Sequence, residues 1–178
     1  MSLDAIKDRL PEYAKDVKLN LSSLLSGSDA SGLSPAQVAG IALASALTTR
    51  EGELITLVKA YASEHLDEKY FEAVKAAATI MAMNNVYYRF THMVSDKEYS
   101  TLPARLRMNA IANHGIEKID FELYSLAVSA INACGMCIDA HVNALQQHAV
   151  SKEAIQACIR IAAVINSAAQ SFAIERVF

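Results

Sequence analysis

Four helix-start signals constrain the fold of this chain more than any other feature. Ser34 precedes a proline and stands three residues before Gln37, which is the pattern of a capping box with proline at the first helical position. Asp67, Asp120 and Ser151 also stand directly before stretches with apolar residues at helical spacing. Alanine is frequent, and the chain has only 6 glycines and 3 prolines. We therefore expect an all-α fold without strands.

The caps and the apolar periodicity together place the helices. We expect them over residues 3–10, 11–24, 34–48, 51–65, 67–92, 103–115, 121–132, 134–147 and 151–175. The small polar residues 26–32 form the one candidate linker, so the 178 residues suit a single compact domain. The methionines and tyrosines of residues 81–89 are interpreted as core or interface packing.

The helical pattern also repeats weakly after 84 residues. Residues 34–92 align with about 118–176, so that Ser45 falls on Ser129 and Asp67 on Ser151. Helix lengths and caps agree better than residue identities do. We interpret residues 1–178 as one domain with an internal pseudo-repeat of two similar helical halves.

Reactive side chains concentrate in one stretch of the second half. Cys134, Cys137 and His141 share one helix face at 100° per residue. Free N–H groups and the helix dipole at a first helical turn favour a thiolate. Glu122, one predicted helix upstream, can orient the imidazole if the two helices form a tight hairpin. The pattern favours a redox-active dithiol or disulfide. Under the repeat, these residues have no reactive counterparts in the first half.

Two other interpretations of the motif remain open. Cys134, Cys137 and His141 could bind zinc, with Glu122 or His148 as a fourth ligand, in a zinc-stabilised helical module. The two cysteines could also be buried packing residues. Elsewhere, Cys158 on an apolar helix face is expected to be a core thiol, and His148 a surface residue.

Net charge and hydropathy limit the classes of molecule that the protein is expected to bind. The net charge is −3 and there is no basic run, so we expect no nucleic-acid binding. The longest strongly apolar run, residues 76–83, is too short to span a membrane, and the N-terminus lacks the apolar core of a signal peptide. We expect a soluble cytoplasmic protein that does not bind membranes.

Several motifs resemble one known family along the whole chain. They are LPEYAKD (10–16), MNNVYYR (83–89), LRMN (106–109), ANHGI (112–116), FEL (121–123) and CGMC (134–137), followed by His141. The sequence thereby resembles the AhpD-like alkylhydroperoxidases of the carboxymuconolactone decarboxylase-like superfamily. The resemblance implies an all-helical fold of two similar halves and a homotrimer.

The resemblance also implies a function. Members of this family take electrons from dihydrolipoamide on the lipoyl-bearing component of a 2-oxoacid dehydrogenase complex and regenerate an AhpC-type peroxiredoxin. They also reduce organic hydroperoxides directly, as antioxidant peroxidases, and no tightly bound cofactor is expected. The alternative within the superfamily is a carboxymuconolactone-type decarboxylase, whose chemistry does not need paired thiols.

Carried over by position, the resemblance assigns roles to four residues. Cys134 and Cys137 form the redox disulfide, and Glu122 with His141 forms the proton relay. Cys137 is the attacking thiol, although the helix dipole by itself favours Cys134 as the more acidic one. Some family members carry histidine immediately before the second cysteine. Met136 stands there in this chain, which places proton transfer on Glu122 and His141.

Overall fold

Helices account for the regular structure of the chain. The computed structural model describes residues 3–178, and within them it contains no strand. The α-helices are α1 (Leu3–Lys7), α2 (Lys15–Leu25), α3 (Pro35–Thr49), α4 (Gly52–Ala62), α5 (Glu68–Met93), α6 (Asn109–Ala112), α7 (Lys118–Ile131), α8 (Gly135–Gln147) and α9 (Lys152–Glu175). Short 3-10 turns cover Glu12–Ala14 and Lys97–Ser100. The all-α prediction is confirmed.

Three of the four predicted caps form as expected. The Ser34 hydroxyl accepts a hydrogen bond from the Gln37 amide (3.1 Å), and the Gln37 side chain accepts one from the Ser34 amide (2.9 Å). Asp67 and Ser151 each accept a bond from the backbone amide three residues on, at 3.0 and 3.1 Å. These local bonds satisfy donors that a helix terminus otherwise leaves free, which fixes where α3, α5 and α9 begin.

Asp120 is not the predicted cap. Helix α7 begins two residues earlier, at Lys118, and Asp120 lies buried in its first turn. Its carboxylate accepts hydrogen bonds from Gln37 Nε2 (2.8 Å) and the Tyr70 hydroxyl (3.1 Å). Partners on α3 and α5 therefore occupy the oxygens that would have capped α7.

The helix predicted from Pro103 is also wrong. Residues 103–108 are not helical, and only the short α6 forms within the predicted range. Arg105 has a left-handed φ of 52°, which a right-handed helix cannot include. Alternate residues of this segment are half-buried while Arg105 and Arg107 are exposed, so the segment follows the protein surface.

The N-terminal predictions hold in part. Helix α1 ends at Lys7 and not at residue 10, and α2 begins only after the 3-10 turn. Leu21 and Leu24 of α2 are buried, whereas Tyr13, in the 3-10 turn before it, is 62% exposed. The Tyr13 hydroxyl donates a hydrogen bond to Glu175 at the end of α9, at 2.9 Å.

The helices of the two halves exchange partners. Helices α3 and α7 pack against each other in the centre, α5 packs on α7 and α8, and α9 packs on α3 and α4. Shifting α3, α4 and α5 by 84 residues places them within two residues of both ends of α7, α8 and α9. Two similar halves remain an interpretation, which these helix boundaries fit.

Helix α9 is the one helix of the described residues whose length and composition would allow it to cross a membrane. Half of its most apolar window is buried inside the protein, and it packs against α2, α3 and α7. The apolar residues of α9 are interrupted by polar ones, so the uninterrupted runs considered in the sequence did not single it out.

Candidate active site

A sharp turn between α7 and α8 presents the two cysteines. Ala133 has a left-handed φ of 54°, and the Cys134 amide bonds to the Ser129 carbonyl at 3.1 Å. Cys134 occupies the N-cap position of α8, and Cys137 lies in its first turn. The two residues form a disulfide with a Cα–Cα separation of 5.3 Å, within the usual range. The chain thus has the redox-capable pair that the motif predicts.

The two sulfur-bearing residues differ in access. Cys134 is fully buried, whereas Cys137 is 7% exposed and lines a cavity. A molecule that enters the cavity therefore reaches Cys137 and not Cys134. The cavity side of the disulfide is the Cys137 side.

His141 and Glu122 meet beside this cysteine. His141 Nδ1 and Glu122 Oε2 are 2.7 Å apart, and the side chains are 12% and 14% exposed. An ionised carboxylate is an acceptor, so this bond places a hydrogen on Nδ1 and leaves Nε2 to face other groups. His141 also lines the cavity. Helices α7 and α8 form the hairpin on which the reach of Glu122 depended, and it brings together two residues 19 positions apart.

The cavity has a volume of about 260 Å³ and a largely apolar wall. Its lining residues are Met81, Asn84, Tyr88, Met108, Ile111, Met136, Cys137, Ala140 and His141. An apolar cavity of about 150 Å³ accommodates benzene, so this one has room for a larger apolar group. Met136 is part of the wall and 38% exposed, where some family members have histidine.

Sequence reasoning missed the contribution of α5 to this wall. Met81 and Tyr88 were assigned to packing and Asn84 was not considered, but all three line the cavity. Their spacing of three and four residues places them on one helix face, which was the available signal. The spacing did not show which helix packs against that face. In the structure, that helix is α8.

A buried polar network fixes the turn before Cys134. Asn85 Nδ2 donates to Ser129 Oγ (2.9 Å), and Asn132 Nδ2 donates to Asn85 Oδ1 (3.0 Å). Arg89 Nη1 donates to the Asn132 carbonyl at 2.6 Å. Helix α5 thereby holds the end of α7 and the start of the cysteine motif in one position.

The residues outside this cluster are placed as follows. Cys158 is fully buried and its thiol donates to the Leu123 carbonyl at 3.3 Å, which confirms the predicted core thiol. Burial raises the pKa of Cys158 far above its ordinary value, so it stays a neutral thiol. His148 is exposed and bonds to the Ala144 carbonyl, as expected of a surface residue.

The zinc interpretation finds no cluster in the structure. Among residues 3–178, no group of three or more His, Cys, Asp or Glu side chains is arranged to hold a metal ion. The two cysteines are bonded to each other, and Glu122 is bonded to His141. The structure thus brings Cys134, Cys137, His141 and Glu122 together, and their catalytic roles remain a prediction.

Comparison with known proteins identifies the relatives of the chain. Residues 97–177 match the carboxymuconolactone decarboxylase family. A protein of Coxiella burnetii (strain RSA 493 / Nine Mile phase I) named alkyl hydroperoxide reductase AhpD is 60% identical over 173 residues, covering 97% of this chain and 98% of that protein.

Proteins with the same name in two other bacteria are similar over nearly their whole length. The one from Rhodopseudomonas palustris (strain BisB18) is 53% identical over 96% of this chain and 93% of its own length. The one from Brucella abortus (strain 2308) is 53% identical over 95% of each chain. At this identity and coverage, the chain belongs to the alkyl hydroperoxide reductase AhpD family.

Proposed function

We propose that this protein is a thiol-dependent peroxidase that reduces alkyl hydroperoxides with the Cys134–Cys137 pair. One observation carries the proposal: Cys137 borders an apolar cavity beside a hydrogen-bonded His141–Glu122 pair. The cavity gives an organic hydroperoxide a place to bind, and the pair gives the reaction a proton donor and acceptor. The names of the relatives support the same activity.

The geometry allows a balanced two-step reaction. In the reduced protein, the Cys137 thiolate attacks the terminal oxygen of the hydroperoxide. The S–O bond forms as the O–O bond breaks, and the leaving alkoxide takes a proton from the His141 imidazolium to become an alcohol. The Cys134 thiol then attacks the Cys137 sulfenic acid, which releases water and forms the disulfide. Glu122 holds His141 in position throughout.

A dithiol donor must then reopen the disulfide. In the proposed cycle, a dihydrolipoamide thiolate attacks Cys137, the accessible sulfur, to give a mixed disulfide and a free Cys134 thiol. The second thiol of the donor closes lipoamide and releases Cys137 reduced. The reduced pair reduces an AhpC-type peroxiredoxin by the same exchange. These donor and acceptor assignments come from the family resemblance, and the exposure of Cys137 alone supports the choice of the sulfur that is attacked.

We also propose a homotrimer, with a cytoplasmic location. Large apolar side chains are exposed on the last turns of α5 and on the connector after it, namely Val86, Phe90, Met93, Tyr99 and Leu102. Five such residues in one region are typical of an interface. Light scattering after size-exclusion chromatography tests this directly, and a monomeric mass of about 19.3 kDa would contradict it.

Replacing the attacking sulfur tests the proposed activity. Cys137→Ser should lower lipoamide-coupled reduction of cumene hydroperoxide to the background rate, since serine is not a comparable nucleophile. Cys158→Ala should keep the activity, because this thiol is buried away from the cavity. Wild-type turnover by Cys137→Ser would overturn the proposal. A protein that decarboxylates 4-carboxymuconolactone but reduces no hydroperoxide would favour the decarboxylase alternative.

Trapping tests the partners separately. In Cys134→Ser, a mixed disulfide on Cys137 cannot be resolved within the chain, so it should persist. Recovery of a lipoyl-bearing protein or a peroxiredoxin from lysate would support the proposed electron path. Recovery of neither would leave direct hydroperoxide reduction with a different donor.

A further inference from the structure

A second, smaller pocket adjoins the cavity beside Cys137. It has a volume of about 170 Å³ and shares two wall residues, Tyr88 and Met136, with the cavity. The two spaces therefore lie on either side of these side chains. The rest of the wall comes from the last turns of α5 and from the connector after it, namely Tyr87, Thr91, Tyr99, Ser100, Leu102 and Ala104. The reaction proposed above makes no use of this pocket.

The wall of the second pocket suits an uncharged, apolar occupant. None of its lining residues is charged, so a carboxylate would find no cation there. The two small hydroxyl groups are already bonded to the backbone: Thr91 Oγ1 donates to the Tyr88 carbonyl (3.0 Å), and Ser100 Oγ donates to the Lys97 carbonyl (2.7 Å). The other lining side chains are tyrosine rings, leucine, alanine and methionine. Such a wall favours the burial of an alkyl chain.

The two residues between the cavity and the second pocket differ in their freedom to move. The Tyr88 ring packs edge-on against Tyr87 with ring centroids 5.3 Å apart, and its hydroxyl is directed to the Met108 sulfur at 3.9 Å. Met136 is 38% exposed, and an unbranched methionine side chain adapts its shape readily. Met136 is therefore the part of this partition that can move aside when a chain extends from the cavity into the second pocket.

We infer that the second pocket binds the far end of a linear alkyl hydroperoxide while the hydroperoxide group reacts at Cys137 in the cavity. This inference rests on the proposed peroxidase function and adds a preferred substrate class, namely uncharged hydroperoxides with an unbranched chain. The chemistry at Cys137 is the same for every substrate, so the pocket contributes to binding and not to the breaking of the O–O bond. A compact substrate such as tert-butyl hydroperoxide reacts without it.

The test fills the second pocket and leaves the cavity as it is. Ala104 lines only the second pocket, and Ala104→Phe should lower kcat/KM for 1-decyl hydroperoxide about tenfold, because methylene groups of the chain lose their buried position. For tert-butyl hydroperoxide, kcat/KM should change less than about twofold, because this substrate has no chain to place there. Ala112→Phe, at an exposed alanine of α6 outside both spaces, is the matched control and should change neither value. Tyr99 and Leu102 also belong to the proposed trimer interface, so the full-length, assembled protein is used and these two residues are left unaltered.

The outcomes separate this inference from the proposed function. Full retention of both activities in Ala104→Phe would show that no substrate chain enters the pocket, and equal losses would show that the pocket does not distinguish the two substrates. A loss confined to reduction of the disulfide by dihydrolipoamide would assign the pocket to the electron donor. Each of these results overturns the inference while the wild-type peroxidase activity stands. A wild-type protein that reduces neither hydroperoxide would instead overturn the proposed function, and the inference with it.

A second measurement uses the unaltered protein and does not depend on the variant folding. 1-Decanol matches the alcohol product of the linear substrate, whereas tert-butanol matches that of the compact one. In the oxidised protein, the ¹³C-methyl resonance of Ala104 should shift on titration with 1-decanol and not with tert-butanol, and that of Ala112 should shift with neither. No shift of Ala104 with 1-decanol, or the same shift with both alcohols, would overturn the inference.

Discussion

The cleft between α5 and α8 and the cleft between α9 and α4 occupy corresponding places under the 84-residue offset, and the first contains the cavity beside Cys137. Asn84 and Tyr88 line this cavity, and the residues 84 positions later, Ala168 and Phe172, are buried. In the first half, α1 packs on α4, and the Arg9 guanidinium lies 5.9 Å from the centre of the Phe172 ring.

The chemistry of the two clefts differs in the same way. The position of Cys137 is taken in the first half by Glu53, which forms two hydrogen bonds with Arg9 at 2.6 and 3.0 Å. Glu51, nearby, is paired with Arg176. One cleft therefore carries ion pairs at the position of the cysteine motif, and the other carries a cavity beside a disulfide. The same arrangement of helices can therefore carry either ion pairs or a cavity beside a disulfide.

Replacing one carboxylate in each half with its amide should give the largest difference in activity. We expect Glu122→Gln to lower kcat/KM for a hydroperoxide about 100-fold, because the amide no longer holds a charged His141 during proton transfer. Glu53→Gln should leave kcat/KM unchanged, since Glu53 and its partner Arg9 do not line the cavity. Steady-state kinetics on both variants checks this. A similar loss in both would mean that the two carboxylates act through stability.

Filling the cavity beside Cys137 should lower the activity toward an organic hydroperoxide. Ala140 lines the cavity, and Ala140→Phe should lower kcat/KM for cumene hydroperoxide about 30-fold by occupying its space. Hydrogen peroxide needs little of that volume, so its rate should fall much less. Thr56→Phe, the exposed counterpart on α4, is the control and should change neither rate. Equal losses for both peroxides would indicate that the cavity does not bind the organic group.

The contact between α3 and α7, one helix from each half, should be more sensitive to an added methyl group than a position within the first half. Gly40 of α3 lies against the ring of Tyr124 of α7, so a methyl group at Gly40 would overlap the ring. We expect Gly40→Ala to destabilise the protein by about 2 kcal/mol in urea unfolding, despite the better helix propensity of alanine. Gly52→Ala in α4 meets no atom within 4 Å and should be neutral or slightly stabilising. Equal stabilities of the two variants would contradict a close contact between Gly40 and the Tyr124 ring.

A histidine just before α7 should produce the smallest effect. His114 stacks on Phe121 with ring centroids 4.3 Å apart, and the residue 84 positions earlier is the buried Ala30. Burial lowers the pKa of His114 below its ordinary value of 6.5, while Glu122 raises it in part. The unfolded chain then binds a proton more readily than the folded one, so stability should decrease as the pH falls below about 6.5.

The measurement is the dependence of Tm on pH. Between pH 7 and pH 5, His114→Phe should reduce the loss of Tm by no more than about 4 °C, the shift that 1 kcal/mol produces in a domain of this size. A larger pH dependence in His114→Phe than in the wild type would contradict the assignment, because the direction of the pKa shift fixes the sign.

The two halves also show how far sequence reasoning reaches. Ser34, Asp67 and Ser151 were predicted as caps and are caps, since each needs a partner only three residues away. Asp120 has the same kind of side chain before the same kind of stretch, but Gln37 and Tyr70 take its oxygens. Bonds to distant residues decided that case, and a local pattern does not contain them.

The same distinction between local patterns and long-range contacts applies to the candidate site. The spacing of Cys134, Cys137 and His141 was enough to predict that they share one helix face, because helical periodicity is a property of neighbouring residues. The sequence also placed Glu122 within reach, on the condition that α7 and α8 form a hairpin. The position of α5 over this face, and the cavity that lies between them, came from the packing of the helices. A cavity is the space that packed helices leave between them, and that space depends on long-range contacts which periodicity does not encode.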